Sequence, residues 1–154
     1  LWADARAGAA IVRKIREKGF TMPIFACERV VNPEFLEEAG SAAEGVIAAY
    51  PFNPERGDPL YEAFARKYEA RTGSKPLAYA AYAYDSTMML VEAIRKAGLN
   101  RWKIRDALQE MQRFKGVTGE AHMDLTLTNR ANIVLCTVKG GKFVFDEPKV
   151  KRTW

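Results

Sequence analysis

Cysteine and histidine are scarce in this chain of 154 residues: Cys27, Cys136 and His122 are all there is. A zinc site needs about four Cys, His or acidic ligands at motif spacing, and neither CxxC nor HExxH occurs, so no metal and no cofactor is expected. The two cysteines lie in separate apolar, strand-like runs. They read equally as a disulfide and as buried free thiols, which leaves the redox compartment open. No stretch approaches the ~20 apolar residues of a membrane-spanning helix. A Gly-rich phosphate loop is also lacking, since Gly140-Gly141 reads as a hairpin turn. The chain opens at Leu1-Trp2 with neither a methionine nor a charged stretch before an apolar one. It shows no targeting signal and reads like the interior of a longer protein.

What is present is ordinary. With 48% hydrophobic and 28% charged residues, intrinsic disorder and a collagen-like chain are excluded, and the length suits one core. Basic residues outnumber acidic ones by 24 to 19, a formal charge of +5. Scattered along the sequence, these charges read as a solvated surface, and nucleic acid is not expected as a partner.

Apolar positions Ala7, Ile11 and Ile15, with Gly8 and Val12 beside them, recur at helical spacing and predict an amphipathic helix over 5–18, closed by Gly19. Residues 24–27 predict a strand. Asn32-Pro33 signals a cap followed by proline in the first turn of a short helix that Gly40 ends. A second strand is expected over 46–50. Asp58-Pro59 repeats the cap, and Leu60, Phe64 and Tyr68 mark one face of the helix that follows. A long helix over 78–97 has a nearly apolar first half, read as buried, and a wet second half. Gly98 ends it and Asn100 caps the next helix, which has Ile104, Leu108 and Met111 as its core stripe. Residues 133–138 and 142–145 predict a β-hairpin about Gly140-Gly141, before a charged tail over 149–154. The fold class is α/β. Two parallel-type strands and a hairpin offer little sheet for five helices, and parallel sheets need both faces covered, so strands are missing from the tally.

Six segments in order carry a resemblance: IREKGFTMPIF, AGSAAEGVIAAYPFNP, FARKYEARTGSKP, AAYAYDSTMMLVEAIRKAG, IRDALQEMQRFKGVTGEAHMD and VKGGKFV. Together the chain resembles the type I periplasmic solute-binding proteins of the leucine/isoleucine/valine-binding kind, the receptors of ABC importers. The resemblance implies two flavodoxin- or Rossmann-like α/β lobes joined by hinge segments, of which this chain is a C-terminal portion. Residues 1–51 would be the remainder of the second lobe. Residues 52–120 would be a hinge crossover with helices of the first, and 121–154 the return strands, hairpin and tail.

The family takes a small solute between its lobes, at the carboxyl ends of the strands, and closes on it by hinge motion. By the resemblance, Glu28 would hold the ammonium of an amino acid, and Tyr79 would line the side-chain pocket. Asp4, with Trp2 close by, stands where branched-chain binders present a tyrosine. That departure points from a leucine-like ligand toward a more polar or cationic one. The implied partner is a membrane permease, and the implied location is periplasmic, or extracellular and lipid-anchored. Without its missing lobe the chain is expected to need a second chain or a swapped dimer, and to expose apolar helix faces, notably over 78–90.

Other readings of the same residues stay open beside this one. Glu28 beside Arg29 also reads as a solvated loop ion pair. Tyr79, Tyr82 and Tyr84 read as core aromatics, since their spacing cannot put all three into one pocket. His122 reads as structural. Asp85-Ser86 is the nearest approach to a catalytic pair and would support a hydrolase-like enzyme, but no histidine accompanies it in a motif. A ligand-sensing regulator on the same scaffold, responding to amides or amino acids, is the alternative to a transport receptor.

Overall fold

In a computed structural model, residues 1–122 and 133–146 are described. Their elements are α1 (Ala5–Glu17), β1 (Ile24–Ala26), α2 (Pro33–Ala39), β2 (Val46–Tyr50), α3 (Pro59–Thr72), α4 (Ala78–Ala97), α5 (Arg101–Glu110), β3 (Arg113–Gly116), β4 (Gly119–His122), β5 (Val134–Lys139) and β6 (Lys142–Phe145). The chain divides into two units, Leu1–Asn53 with Ile133–Trp154, and Pro54–Asn132.

Local chemistry sets the helix ends as expected. The side chains of Asp4, Asn32, Asp58 and Asn100 each accept a backbone N–H from the first turn of the helix they precede, with Pro33 and Pro59 in the first turns of α2 and α3. Gly140 and Gly141 both take positive φ, 58° and 72°, as a two-residue hairpin turn demands. Beneath that turn the Glu44 carboxylate accepts the N–H groups of Gly140 at 3.0 Å and Gly141 at 3.4 Å.

The first unit is a four-stranded sheet in the order β1-β2-β5-β6, parallel between β1 and β2 and antiparallel thereafter. One face is core: Ile24, Ala26, Val46, Ala48, Tyr50, Val134, Cys136 and Val138 are buried. Fully buried Phe35 of α2 stacks on Phe143 of β6, ring centroids 6.4 Å apart, which lays the helical layer on this face. α1 packs beside α2, and Gly8 lets it lie close on Val30, the residue that follows β1 by four positions, because a Cβ there would press on that side chain at 3.0 Å. Both cysteines are buried free thiols, which decides between the two readings of them.

The opposite face is largely apolar too, and among the described residues much of it is exposed. Register aligns Phe25, Ile47, Thr137 and Val144 in one row across all four strands, with Ala49 opposite Leu135 alongside. Phe25 is 63% exposed and Leu135 51%. The strand tally predicts too little sheet for the helices; what this unit shows instead is an exposed apolar sheet face. At the outer edge of β1, the Leu1 ammonium donates to the Phe25 carbonyl at 2.6 Å, and Cys27 N–H donates to the Leu1 carbonyl at 3.1 Å. Those two bonds form one rung of a parallel ladder.

The second unit holds α3, α4, α5 and a hairpin of β3 and β4. That hairpin was absent from the sequence expectation, because Arg113-Phe114-Lys115-Gly116 has little strand-like alternation. His122 ends its second strand. On α3 the inward position is Tyr61, whereas Leu60 is exposed, so the apolar face is rotated from the expected one. Phe64 ties this face together by ring contacts with Tyr61, Tyr68 and Tyr84. The first half of α4 buries only Ala78, Ala81 and Asp85, and Tyr79, Tyr84, Met88 and Leu90 lie exposed. It is therefore not the buried segment its composition suggests, and the exposure over 78–90 is that expected of an uncovered helix. On α5 the buried residue is Ala107, with Ile104 and Leu108 half-buried. Parts of the expected return segment and the whole tail over 149–154 lie outside the described residues.

Candidate functional site

Three of the four candidate residues fall at one end of the first unit's sheet. β1 ends at Ala26, Cys27 is buried, and the chain turns through a 3-10 segment, Glu28–Val30, pinned by fully buried Val30. This leaves Glu28 half-buried at the carboxyl end of a parallel strand, the end at which open α/β sheets bind ligands. Residues 1–4 run alongside the same end. The Leu1 rung aligns them with β1, and the Cys27 thiol lies 3.6 Å from the Ala3 carbonyl, toward which it donates. Trp2 is 80% exposed there. Asp4 begins α1, and its Oδ1 accepts the Ala7 N–H at 2.9 Å, so part of its carboxylate serves as a helix cap.

Tyr79 belongs to the second unit, on the first turn of α4, and is 55% exposed. As their spacing requires, the neighbouring tyrosines go elsewhere. Tyr84 packs on Phe64 at 5.0 Å between centroids, and burial, reinforced by Asp85, pushes the Tyr82 hydroxyl above the usual tyrosine range.

The second unit also buries a carboxylate that the sequence offered as half of a catalytic pair. Asp85 is the one buried charged side chain among the described residues. Its carboxylate accepts Val117 N–H at 2.8 Å, Thr118 N–H at 2.9 Å and the Thr118 hydroxyl at 2.7 Å. From the other direction Arg56 donates to the carbonyls of the same two residues, Val117 at 2.8 Å and Thr118 at 2.9 Å. One acid and one base thus saturate both polar sides of the turn between β3 and β4. Gly116 is obligatory, since a Cβ there would run into the Asp85 carboxylate. Arg56 also bonds Asp58 at 3.1 Å, which joins the clamp to the cap of α3. Burial pushes the Asp58 carboxyl up. The N–H groups of Leu60 and Tyr61 and the Arg56 guanidinium outweigh it and hold the carboxyl below its ordinary value.

Asp85 is therefore committed to backbone donors, and Ser86 beside it is exposed. The signal available in the sequence was a carboxylate inside the apolar run AYAAYAYDSTMML, because such a group needs buried partners. Its partners lie more than 30 residues away, and nothing local names them.

A family model described as "Periplasmic binding protein" matches residues 1–140. The chain is 30% identical over 115 residues to Leu/Ile/Val-binding protein homolog 2 of Brucella abortus, an alignment covering 74% of this chain and 30% of that protein. Among solved structures it resembles a leucine-binding protein, LivK, of Thermotoga maritima, at 30% identity and TM-score 0.85, covering 95% of this chain and 42% of that one. The isoleucine complex of LivJ from Streptococcus pneumoniae shares the fold at 24% identity and TM-score 0.80, covering 94% and 43%. The chain thus spans about a third of the length of the curated relatives and under half that of these structures.

Proposed function

The chain belongs to the periplasmic binding protein family, with the type I fold, and on that footing we propose that it is the C-terminal part of a solute receptor for an ABC importer. The solute is an amino acid, branched-chain or related, or a similar small organic molecule. In this reading the first unit is the remainder of the second lobe, and the helices of the second unit belong to the first lobe. Hinge closure traps the ligand, a membrane permease receives it, and the setting is extracytoplasmic, with or without a lipid anchor.

One observation carries the reading: Glu28 is a half-buried carboxylate directly beyond the carboxyl end of β1. A carboxylate in that position suits an α-ammonium, since a charge-assisted N⁺–H···O⁻ bond is about twice as strong as a neutral one. Asp4 and Trp2 at the same end add a second acidic group and an aromatic surface, which suits a ligand with a polar or cationic side chain. Tyr79, an exposed ring on α4, is assigned to the lining of the side-chain pocket on the family resemblance alone.

NMR titration of isotope-labelled chain with leucine, isoleucine and lysine tests this, each against its analogue lacking the α-ammonium. Saturable shifts around residues 26–30 are expected for the amino acids only, and Glu28→Gln is expected to remove them. Unchanged affinity in Glu28→Gln sinks the assignment.

A further inference from the structure

Five of the chain's basic residues, Arg95, Lys96, Arg101, Lys103 and Arg105, fall within one eleven-residue segment that contains no acid. The remaining 19 basic residues balance the 19 acidic ones, so this segment accounts for the whole net charge of +5. In the fold it is a corner: the last turn of α4, the Gly98 turn and the first half of α5. Projecting from it are the two most exposed large apolar side chains among the described residues of the second unit, Leu99 at 94% and Trp102 at 71%.

Why the corner looks this way follows from its parts. Gly98, at φ 70°, stops α4 and throws Leu99 outward before Asn100 caps α5 through the N–H groups of Trp102 and Lys103. Ala107 is the buried residue of α5, with Ile104 half-buried, which leaves Arg101, Trp102, Lys103 and Arg105 outside. The Arg105 guanidinium stacks over the Trp102 ring at 5.1 Å, steadying the indole on the surface. Arg105 is paired with Asp106 and Lys96 with Glu110. Arg95, Arg101 and Lys103 form no ion pair among the described residues, so positive charge remains for a partner.

We propose that this α4–α5 corner docks on an anionic lipid surface, with Leu99 and Trp102 entering the headgroup layer and Arg95, Arg101 and Lys103 meeting the phosphates. A basic cluster alone would suit any polyanion. The two outermost apolar groups together distinguish the partner: unpaired bases can stack on Trp102 but offer nothing to Leu99, whereas a bilayer interface takes up leucine and tryptophan beside lysine and arginine. The proposal uses residues separate from the solute site and does not depend on it.

Co-sedimentation of the 154-residue chain with vesicles tests it, comparing phosphatidylglycerol/phosphatidylcholine mixtures with phosphatidylcholine alone. Binding is expected to the anionic vesicles only, and to fall as salt is raised. Each basic residue near an anionic surface strengthens binding about fivefold, so Arg101→Glu with Lys103→Glu should weaken it at least tenfold. Leu99→Ser with Trp102→Ser should weaken it comparably, while Leu135→Ser, an equally apolar exposed change in the other unit, should not. Circular dichroism verifies that each variant stays folded. Equal binding to neutral vesicles, loss of binding in Leu135→Ser alone, or a single-stranded oligonucleotide bound in preference to the anionic vesicles would overturn the proposal.

Discussion

The two units are held together by different physics. In the first, the largest fully buried side chains are Phe35, Val12, Val30, Val46, Val138 and Cys136, an apolar layer between sheet and helices. In the second, the buried residues of the helices are small, apart from Tyr61, and the most tightly bonded element is the Asp85–Arg56 clamp on the turn between β3 and β4. An apolar layer fails by cavity, in proportion to the volume removed. A polar clamp fails by desolvation, because deleting one partner strands the others without water.

The contrast can be broken at its strongest point first. Phe35→Ala should cost about 3–5 kcal/mol, concentrated in the first unit, as hydrogen exchange resolved by residue would show. A loss spread evenly over both units would mean that they are one cooperative body. Asp85→Ala comes next, at about 2–3 kcal/mol, since it leaves the Val117 and Thr118 donors without their acceptor. Exchange should accelerate at 113–122 while β2 and β5 stay protected, and a cost below that of a surface substitution would remove the clamp from the account.

The smallest effect is also the one that depends on pH. Asp58→Ala should cost about 1 kcal/mol at neutral pH by loss of the α3 cap and its Arg56 bond. Because the folded carboxyl titrates below its ordinary value, its stabilisation is full above the unfolded carboxylate range and is lost as pH falls through the folded value. The cost of Asp58→Ala, read from urea unfolding, should therefore shrink on acidification. A cost that stays constant with pH would show that the carboxylate's charge is irrelevant to the cap.

What the sequence made legible follows the same division. Asn32-Pro33, Asp58-Pro59, Gly98-Leu99-Asn100 and Gly140-Gly141 were readable because caps and turns are local chemistry, complete within four residues. The exposed sheet face was not readable, since the tally pointed to missing strands and not to a face without cover. Nor was the phase of α3: Leu60 and Tyr61 are both apolar, and which one faces inward is set by packing against Phe64 and its neighbours. The β3–β4 hairpin and the role of Asp85 were hidden for a stronger reason, because the acceptor and its donors are separated by 32 and 33 residues. Glu28 was readable as a residue type in an apt place after a strand. Its half-buried setting comes from the segment pinned by Val30, and the presence of Trp2 and Asp4 at the same sheet end from the Leu1 rung, neither of which a local pattern announces.

One further consequence lies in the register of β2 with β5. Ile47 pairs with Thr137 and Tyr50 with Val134, so two central strands of the first unit's sheet are joined by a connection that comprises the entire second unit. During folding, β2 must wait for a partner made long after it. Closing so long a loop carries an entropic cost that grows with the logarithm of its length. A second unit that folds early shortens the effective loop and hastens the meeting of the strands. Residues such as Asp85 and Arg56, which hold the second unit's hairpin turn, thereby influence how quickly that sheet is completed.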